Sequence, residues 1–119
     1  MESANGITHD DIRTMVLESN AAQGCTRAEV DAGTPVLYVQ VGRNTSDRNS
    51  RRGWLAHYAW AVRFPDGTVA VALDSERLMS TQPLRRYEAA GSGVAAARKA
   101  FAGRARLAGV PLEVFDACR

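Results

Sequence analysis

The sequence predicts an α+β fold, in which a single layer of three to four mostly antiparallel strands packs against helices. Residues 54–74 alternate large apolar residues with small or polar ones on both sides of a Pro65-Asp66-Gly67 turn, which is typical of a β-hairpin. Two helix-capping patterns precede this stretch and a long amphipathic helix follows it. The predicted order is therefore α-α-β-β-β-α-β, within a single domain over residues 1–119.

Capping residues predict both N-terminal helices. Thr8 and Asp11 are spaced as a capping pair, and the apolar residues that follow recur at helical intervals, so the first helix is predicted over 9–20. Thr26 and Glu29 form a second capping box, which predicts a short helix directly after Thr26.

The strands are predicted from β-branched density and from alternation. A strand over about 36–42 should turn Leu37, Val39 and Val41 toward the core. In the hairpin, the side chains expected to face the core are Trp54, Ala56, Tyr58, Trp60, Val62 and Phe64 before the turn, and Val69, Val71 and Leu73 after it.

The C-terminal third is predicted as an irregular link, a helix and a strand. Residues 74–83 are expected to form one helical turn or an irregular connection. The helix should begin after Gly91-Ser92-Gly93 and end at Gly109, with its apolar stripe covering one face of the sheet. A short strand over 112–115 closes the chain.

Composition narrows the class of protein. The chain is 45% hydrophobic and 24% charged, which is ordinary for a globular domain. It contains no apolar run of the roughly 18 residues that a membrane span needs, and no signal peptide is visible at its start, so we expect a cytoplasmic protein without a membrane partner. Cys25 and Cys118 are too few for a disulfide framework and are expected to be thiols.

The charge is unevenly distributed along the sequence. Residues 1–42 carry two Arg and six acidic residues, whereas residues 43–119 carry 13 basic and seven acidic residues. Lys99 is the only lysine, and the arginine guanidinium suits bidentate contacts with carboxylate or phosphate. The predicted partner-binding residues are Arg43, Arg48, Arg51, Arg52, Arg85, Arg86 and Arg98. The competing interpretation is a solvated basic surface without a partner.

Motifs for catalysis, metals and cofactors are weak. Gly91-Ser-Gly-Val-Ala-Ala-Ala resembles a dinucleotide turn only superficially, because no strand precedes it, and we expect no cofactor. Two histidines and two distant cysteines predict no metal site. A hydrolase would need His57 aligned with an acid and with a nucleophile such as Ser75, Ser80 or Cys25.

We therefore predict a non-catalytic binding module that acts stoichiometrically on a protein or nucleoprotein partner through its Arg-rich loop. Small inhibitors of the phage and plasmid type, including anti-defence proteins, have this character. The first alternative is a winged-helix-like DNA-binding regulator, which would need a recognition helix where the sequence reads TPVLYVQVGR. The second alternative is a small hydrolase that uses His57. Nucleic acid stays open as a partner, and the sequence does not set the oligomeric state.

Overall fold

A computed structural model of the protein describes residues 7–20, 24–43, 54–73, 79–84 and 93–117. These ranges contain three helices and five strands. In chain order they are α1 (His9–Asn20), α2 (Arg27–Ala32), β1 (Thr34–Arg43), β2 (Trp54–Arg63), β3 (Val69–Val71), β4 (Ser80–Leu84), α3 (Gly93–Ala108) and β5 (Leu112–Asp116).

The five strands form one mixed sheet. β1 lies at its centre, antiparallel to β2 on one side and parallel to β5 on the other. β3 and β4 both pair antiparallel with β2, and each takes a different part of its outer edge. The predicted α+β class is confirmed. The sheet has one strand more than the sequence predicted, namely β4.

Both N-terminal helices begin as their capping residues predicted. The Thr8 hydroxyl oxygen accepts the Asp11 N–H at 3.0 Å, and the Asp11 carboxylate accepts the Thr8 N–H at 3.1 Å. Thr26 and Glu29 form the same reciprocal pair at 3.1 and 2.9 Å. These bonds satisfy backbone N–H groups that a helix leaves without an internal partner. The predictions of both helix starts are therefore confirmed.

Gly33 ends α2 because the chain must pass close to β2 at this point. Its backbone is extended, with φ −89° and ψ 175°, so no left-handed conformation is involved. A Cβ at this position would collide with the Val62 side chain and lie 3.0 Å from the Arg63 carbonyl oxygen. Glycine therefore allows β1 to begin directly beside the end of β2.

All three helices pack on one face of the sheet, which we call the covered face. The core there is continuous across the described helices and strands. Its fully buried side chains include Ile12, Val16, Val30, Leu37, Val39, Val41, Val62 and Phe101. Trp54, Tyr58, Trp60 and Phe64 are half-buried against the same cluster. The predicted core residues of β1 and β2 are thus confirmed.

The predicted phase of β3 is wrong. Val62 pairs with Ala70, so Ala70 faces the core, while Val69 and Val71 point to the opposite face. The cause is the length of the turn, because the Phe64 N–H donates to the Thr68 carbonyl and leaves three residues in the loop. A loop of this length sets which side chains of the returning strand share the face of Val62.

The β2–β3 turn itself has the predicted chemistry. Gly67 adopts φ +92°, a conformation that favours glycine. The Asp66 carboxylate accepts the Thr68 hydroxyl at 2.7 Å and the Thr68 N–H at 3.0 Å. These two bonds, the hydroxyl foremost, hold the pKa of Asp66 below its usual range, because they stabilise the ionised form.

The prediction of an irregular link over 74–83 is wrong where the structure describes it. Residues 80–84 form β4, which pairs with the first half of β2 from Trp54 to Tyr58. The segment is polar and contains Pro83, which fits only the edge of a sheet because proline cannot donate a hydrogen bond. Residues 74–78 of this prediction lie outside the described residues.

Helix α3 covers the sheet as predicted and ends at Gly109, where φ is +70°. The guanidinium of Arg104 lies 4.9 Å from the ring centre of Tyr58 and 5.0 Å from that of Phe101. This cation–π arrangement accommodates the arginine on the side of α3 that carries the buried Phe101. Leu107, in contrast, is 66% exposed.

Candidate partner-binding surface

One end of the sheet is formed where β1 ends and β2 begins. Arg43 pairs with Trp54 across these strands, and Trp54 pairs in turn with Leu84, the last residue of β4. α3 begins next to these residues. Its first residue, Gly93, is so close to Trp54 that a Cβ there would lie only 2.9 Å from the ring. We call these four residues the arginine end of the sheet.

The structure describes two of the predicted partner-binding residues. Arg43 is the last residue of β1, and Arg98 is exposed in the second turn of α3. The other five lie outside the described residues: Arg48, Arg51, Arg52, Arg85 and Arg86. The segments 44–53 and 85–92, which carry these five, are each joined at both ends to residues of the arginine end.

Carboxylates of α2 and of the β2–β3 turn lie at the opposite end of the sheet. α2 leads into Thr34, the turn follows Arg63, and these two residues pair with each other. Glu29, Asp31 and Asp66 are exposed there. Arg27 of α2 and Arg63 of β2 lie at this end as well, so the described charges there are of both signs.

The second face of the sheet, which we call the open face, carries no helix among the described ranges. The pairing registers place on it Val36, Tyr38 and Gln40 of β1, Leu55, His57, Ala59, Ala61 and Arg63 of β2, Val69 and Val71 of β3, and Glu113 and Phe115 of β5. Ala59 and Ala61 are small, whereas Tyr38 and Phe115 place two aromatic rings on the same face.

An ion pair crosses the open face. Arg63 on β2 and Glu113 on β5 form a salt bridge, although β1 lies between their strands. On the same face of β1, Val36 is fully buried although it does not belong to the main core cluster. Both charged side chains remain partly exposed, at 37% and 25%.

Two aromatic residues lie next to each other on the open face. Tyr38 is beside Glu113 and Gln40 is beside Phe115 in the parallel register of β1 and β5, so the two rings are diagonal neighbours. Phe115 is 54% exposed, and the Gln40 amide donates to the Tyr38 hydroxyl at 3.4 Å. Sequence reasoning missed these residues because it followed the positions in phase with the core. The sequence signal that could have found them is the set of positions in β1 and β5 whose side chains alternate away from the core.

His57 lies on the open face between β1 and β4. Its neighbours in the pairing are Gln40 and Thr81. Within the described ranges it makes no hydrogen bond to an acid, a hydroxyl or a thiol, and Ser75, one of the nucleophiles that a hydrolase could use, lies outside the described residues. The same residues contain no group of three or more His, Cys, Asp or Glu side chains that could hold a metal ion.

A cleft of about 560 Å³ lies between α2 and the β2–β3 turn. Cys25, Glu29, Phe64 and Asp66 are among its lining residues. Both carboxylates already bind local groups, because Glu29 belongs to the capping box and Asp66 accepts hydrogen bonds from Thr68. Cys25 is a free, half-buried thiol, while Cys118 lies outside the described residues.

The segment that follows α2 is strand β1, over Thr34–Arg43. A helix-turn-helix protein would need its recognition helix there. This strand is instead the centre of the sheet and pairs on both sides. The α1–α2 pair therefore does not continue into the helix that would enter a DNA groove.

No protein family, curated protein or solved structure matches the chain. None of the helices that the structure describes is long and apolar enough to cross a membrane.

Proposed function

We propose that the chain is a non-catalytic binding module that acts stoichiometrically on a protein or nucleoprotein partner through the arginine end of its sheet. The observation that carries this proposal is the placement of Arg43, Trp54, Leu84 and Gly93 side by side. Two arginine-bearing segments of the sequence begin and end at these residues. Arginines that are distant in sequence are thereby attached to one region of the molecule.

Several arginines in segments that begin and end at one region of the sheet favour an acidic partner. The guanidinium group is planar and presents parallel N–H donors that match carboxylate and phosphate oxygens. A cluster of like charges also raises the rate of encounter with an oppositely charged surface. The exposed carboxylates Glu29, Asp31 and Asp66 lie at the other end of the sheet.

A stoichiometric inhibitor of the phage or plasmid type fits these properties. Such a protein needs a surface for its target and no reaction centre of its own. Anti-defence proteins act in this manner, and the predicted location remains the cytoplasm, where such targets reside. The proposal requires one interaction surface and a rigid support, and the five-stranded sheet with its helical layer can supply the support.

The test is capture of a partner by charge-reversed variants. The immobilised chain is incubated with lysate of its native host, and bound components are identified with and without nuclease treatment. We expect R48E/R51E/R52E to fold normally and to lose the captured component, because it reverses three charges in the segment that joins Arg43 to Trp54. Nuclease treatment then distinguishes a protein partner from one that is held through nucleic acid.

The control separates local charge from net charge. R51E/R52E and R27E/R106E change the net charge equally, but Arg27 belongs to α2 and Arg106 to the last turn of α3. The proposal expects capture to fail only in R51E/R52E. Equal capture by the wild type and by R48E/R51E/R52E, or equal loss in both double variants, would overturn it.

Duplex binding is tested in the same series. A winged-helix regulator would bind duplex DNA with an affinity that falls steeply as salt rises. A gel-shift experiment at low salt therefore distinguishes the two functions. Failure to retard duplex DNA, together with partner capture, is the result that our proposal expects.

A further inference from the structure

We infer that two copies of the chain associate edge to edge, by antiparallel pairing of β5 with β5 of the second copy. The inference goes beyond the proposed function and does not depend on it. β5 lies at one edge of the sheet, because its only partner among the described strands is β1. The edge of a sheet presents backbone groups that a further strand can bind.

The backbone groups on the outer side of β5 belong to Leu112 and Val114. In a parallel ladder, alternate residues turn their N–H and C=O groups toward the partner strand. The Leu37 N–H donates to the Pro111 carbonyl, so the odd-numbered residues of β5 face β1. The N–H and C=O groups of Leu112 and Val114 therefore point outward, to the side on which no described strand lies.

β5 lacks the features that protect the opposite edge of the sheet. On that edge β3 has only three residues, and β4 consists of three polar residues followed by Pro83 and Leu84. Short edge strands, polar residues and proline all discourage pairing with another chain. β5 has five residues, LEVFD, without proline or lysine, and its Glu113 is already paired with Arg63. Among the described strands, β5 therefore offers the edge best suited to pairing.

Apolar side chains on both faces of β5 are incompletely buried. Leu112 and Val114 are half-buried at the margin of the core. Their neighbours on β1, Leu37 and Val39, are fully buried. On the open face, Phe115 is 54% exposed. A strand added beside β5 would remove part of this apolar area from water, which favours its addition.

A second copy of the chain presents a strand that fits this edge. Its β5 is already ordered, so pairing does not cost the conformational entropy that a flexible segment of another protein would lose. A two-fold axis at Val114 pairs all five residues and lets the two Val114 residues exchange backbone hydrogen bonds. Glu113 then lies opposite Phe115 of the second copy, and Leu112 lies opposite Asp116. No like charges face each other in this register.

The size of this contact predicts a reversible dimer. A five-residue strand is roughly 17 Å long, so edge pairing buries less than the about 1,600 Å² of a standard interface. Both faces of the sheet stay accessible, because the copies meet side by side and not face to face. The Arg63–Glu113 pair therefore remains in contact with water in the dimer.

The experiment is sedimentation equilibrium of the full chain between about 1 and 300 μM. The wild type is expected to shift from the monomer to twice that mass as the concentration rises. Amide hydrogen exchange, followed by NMR at both ends of this range, then locates the contact. Exchange of the Val114 N–H is expected to slow as the concentration rises, because pairing with the second copy protects this outward-facing group.

Charge at position 115 tests the register. Phe115→Glu places a carboxylate opposite Glu113 of the second copy, whereas Phe115→Lys places an ammonium group there. Each contact occurs twice, so we expect the dimer of Phe115→Glu to have a dissociation constant roughly 5- to 100-fold higher than that of Phe115→Lys. Net charge acts in the opposite direction, because glutamate lowers the net charge of +2 and lysine raises it.

Matched variants on α3 separate this contact from a general effect of surface charge. Leu107→Glu and Leu107→Lys change a side chain that is 66% exposed on the helical layer, and both are expected to dimerise like the wild type. Thermal unfolding of each variant verifies that it is folded.

Three results would overturn the inference. The first is a wild type that remains monomeric at the highest concentration. The second is a Phe115→Lys dimer that is no tighter than the Phe115→Glu dimer. The third is a dimer in which exchange of the Val114 N–H does not depend on concentration, which would indicate contact through another surface. Partner capture by R51E/R52E tests the proposed function separately, so either proposal can fail alone.

Discussion

The two faces of the central sheet are built from the same strands but differ in what lies on them. On the covered face, Leu37, Val39 and Val41 are fully buried under the helices. One position further along, Tyr38 and Gln40 of the same strand are only half-buried. Because side chains alternate across a strand, each face has its own composition and can take its own role.

Stability is therefore expected to depend mainly on the covered face. Substitutions on the covered face remove packing or create overlap, and they therefore lower the free energy of unfolding. Substitutions of exposed side chains on the open face are expected to leave this core intact. The comparison is tested most sharply by changing the same residue type on both faces.

Phe101 and Phe115 provide the largest contrast. Phe101 is fully buried and its ring lies 4.9 Å from that of Tyr58, whereas Phe115 is 54% exposed. We expect Phe101→Ala to lower the free energy of unfolding by about 3–5 kcal/mol, because it removes buried area and leaves a cavity. Phe115→Ala should change it by less than about 0.5 kcal/mol. Urea unfolding of the two variants measures both values.

The control is Phe101→Leu, which restores most of the apolar volume and should recover much of the lost stability. A similar cost for both alanine variants would contradict the distinction between the faces. It would mean that Phe115 is also packed in solution.

Two glycines of α3 give a contrast of intermediate size. A Cβ at Gly93 would lie 2.6 Å from the Val41 side chain and 2.9 Å from the Trp54 ring, whereas a Cβ at Gly103 would meet nothing within 4 Å. We expect Gly93→Ala to destabilise by about 1–3 kcal/mol through overlap with the core. Gly103→Ala should stabilise by up to about 1 kcal/mol, because alanine favours the helix.

Thermal and urea unfolding of the two variants provide the measurement. Opposite signs would support close packing of the start of α3 against the arginine end. A stabilising Gly93→Ala would show that the helix stands away from Trp54, and the support of the arginine end would then need revision.

Much of the fold follows from local signals in the sequence. The capping boxes at Thr8 and Thr26 depend on residues three positions apart, so a short window contains all the necessary information. The end of α3 at Gly109 and the Asp66–Gly67 turn are equally local. These predictions agree with the structure because the physics that decides them acts within a few residues.

Features that depend on distant partners could not be predicted in the same way. β4 is polar and ends with Pro83 and Leu84, and only its pairing with Trp54–Tyr58 makes it a strand. The phase of β3 was missed because three loop residues, not the pattern of valines, decide which side chains face the core. In both cases a non-local or geometric constraint overrides the residue pattern.

The candidate sites show the same difference between local sequence signals and contacts of distant residues. The excess of arginine after residue 43 is visible in composition, but the adjacency of Arg43, Trp54 and Leu84 requires the sheet. Likewise, Tyr38 and Phe115 are far apart in sequence, and only the parallel pairing of β1 and β5 makes them neighbours. Sequence can therefore supply candidate residues for a surface, whereas topology decides which of them act together.

The Arg63–Glu113 pair has the smallest expected effect. Its coupling free energy reports how accessible the open face is to water. The two side chains are 37% and 25% exposed, so water screens their attraction. We expect a double-mutant cycle of Arg63→Met and Glu113→Gln to give a coupling free energy below about 1 kcal/mol, decreasing as salt is added. Urea unfolding of the wild type, both single variants and the double variant supplies the cycle.

A dry interface would behave differently, because breaking a buried ion pair costs about 3–5 kcal/mol and responds little to salt. A coupling of that size would mean that the face is covered in solution, either by another chain or by residues of the same chain. The contrast between the two faces would then disappear, and the aromatic residues would belong to a second core. A small, salt-dependent coupling would instead leave Tyr38 and Phe115 accessible to a ligand.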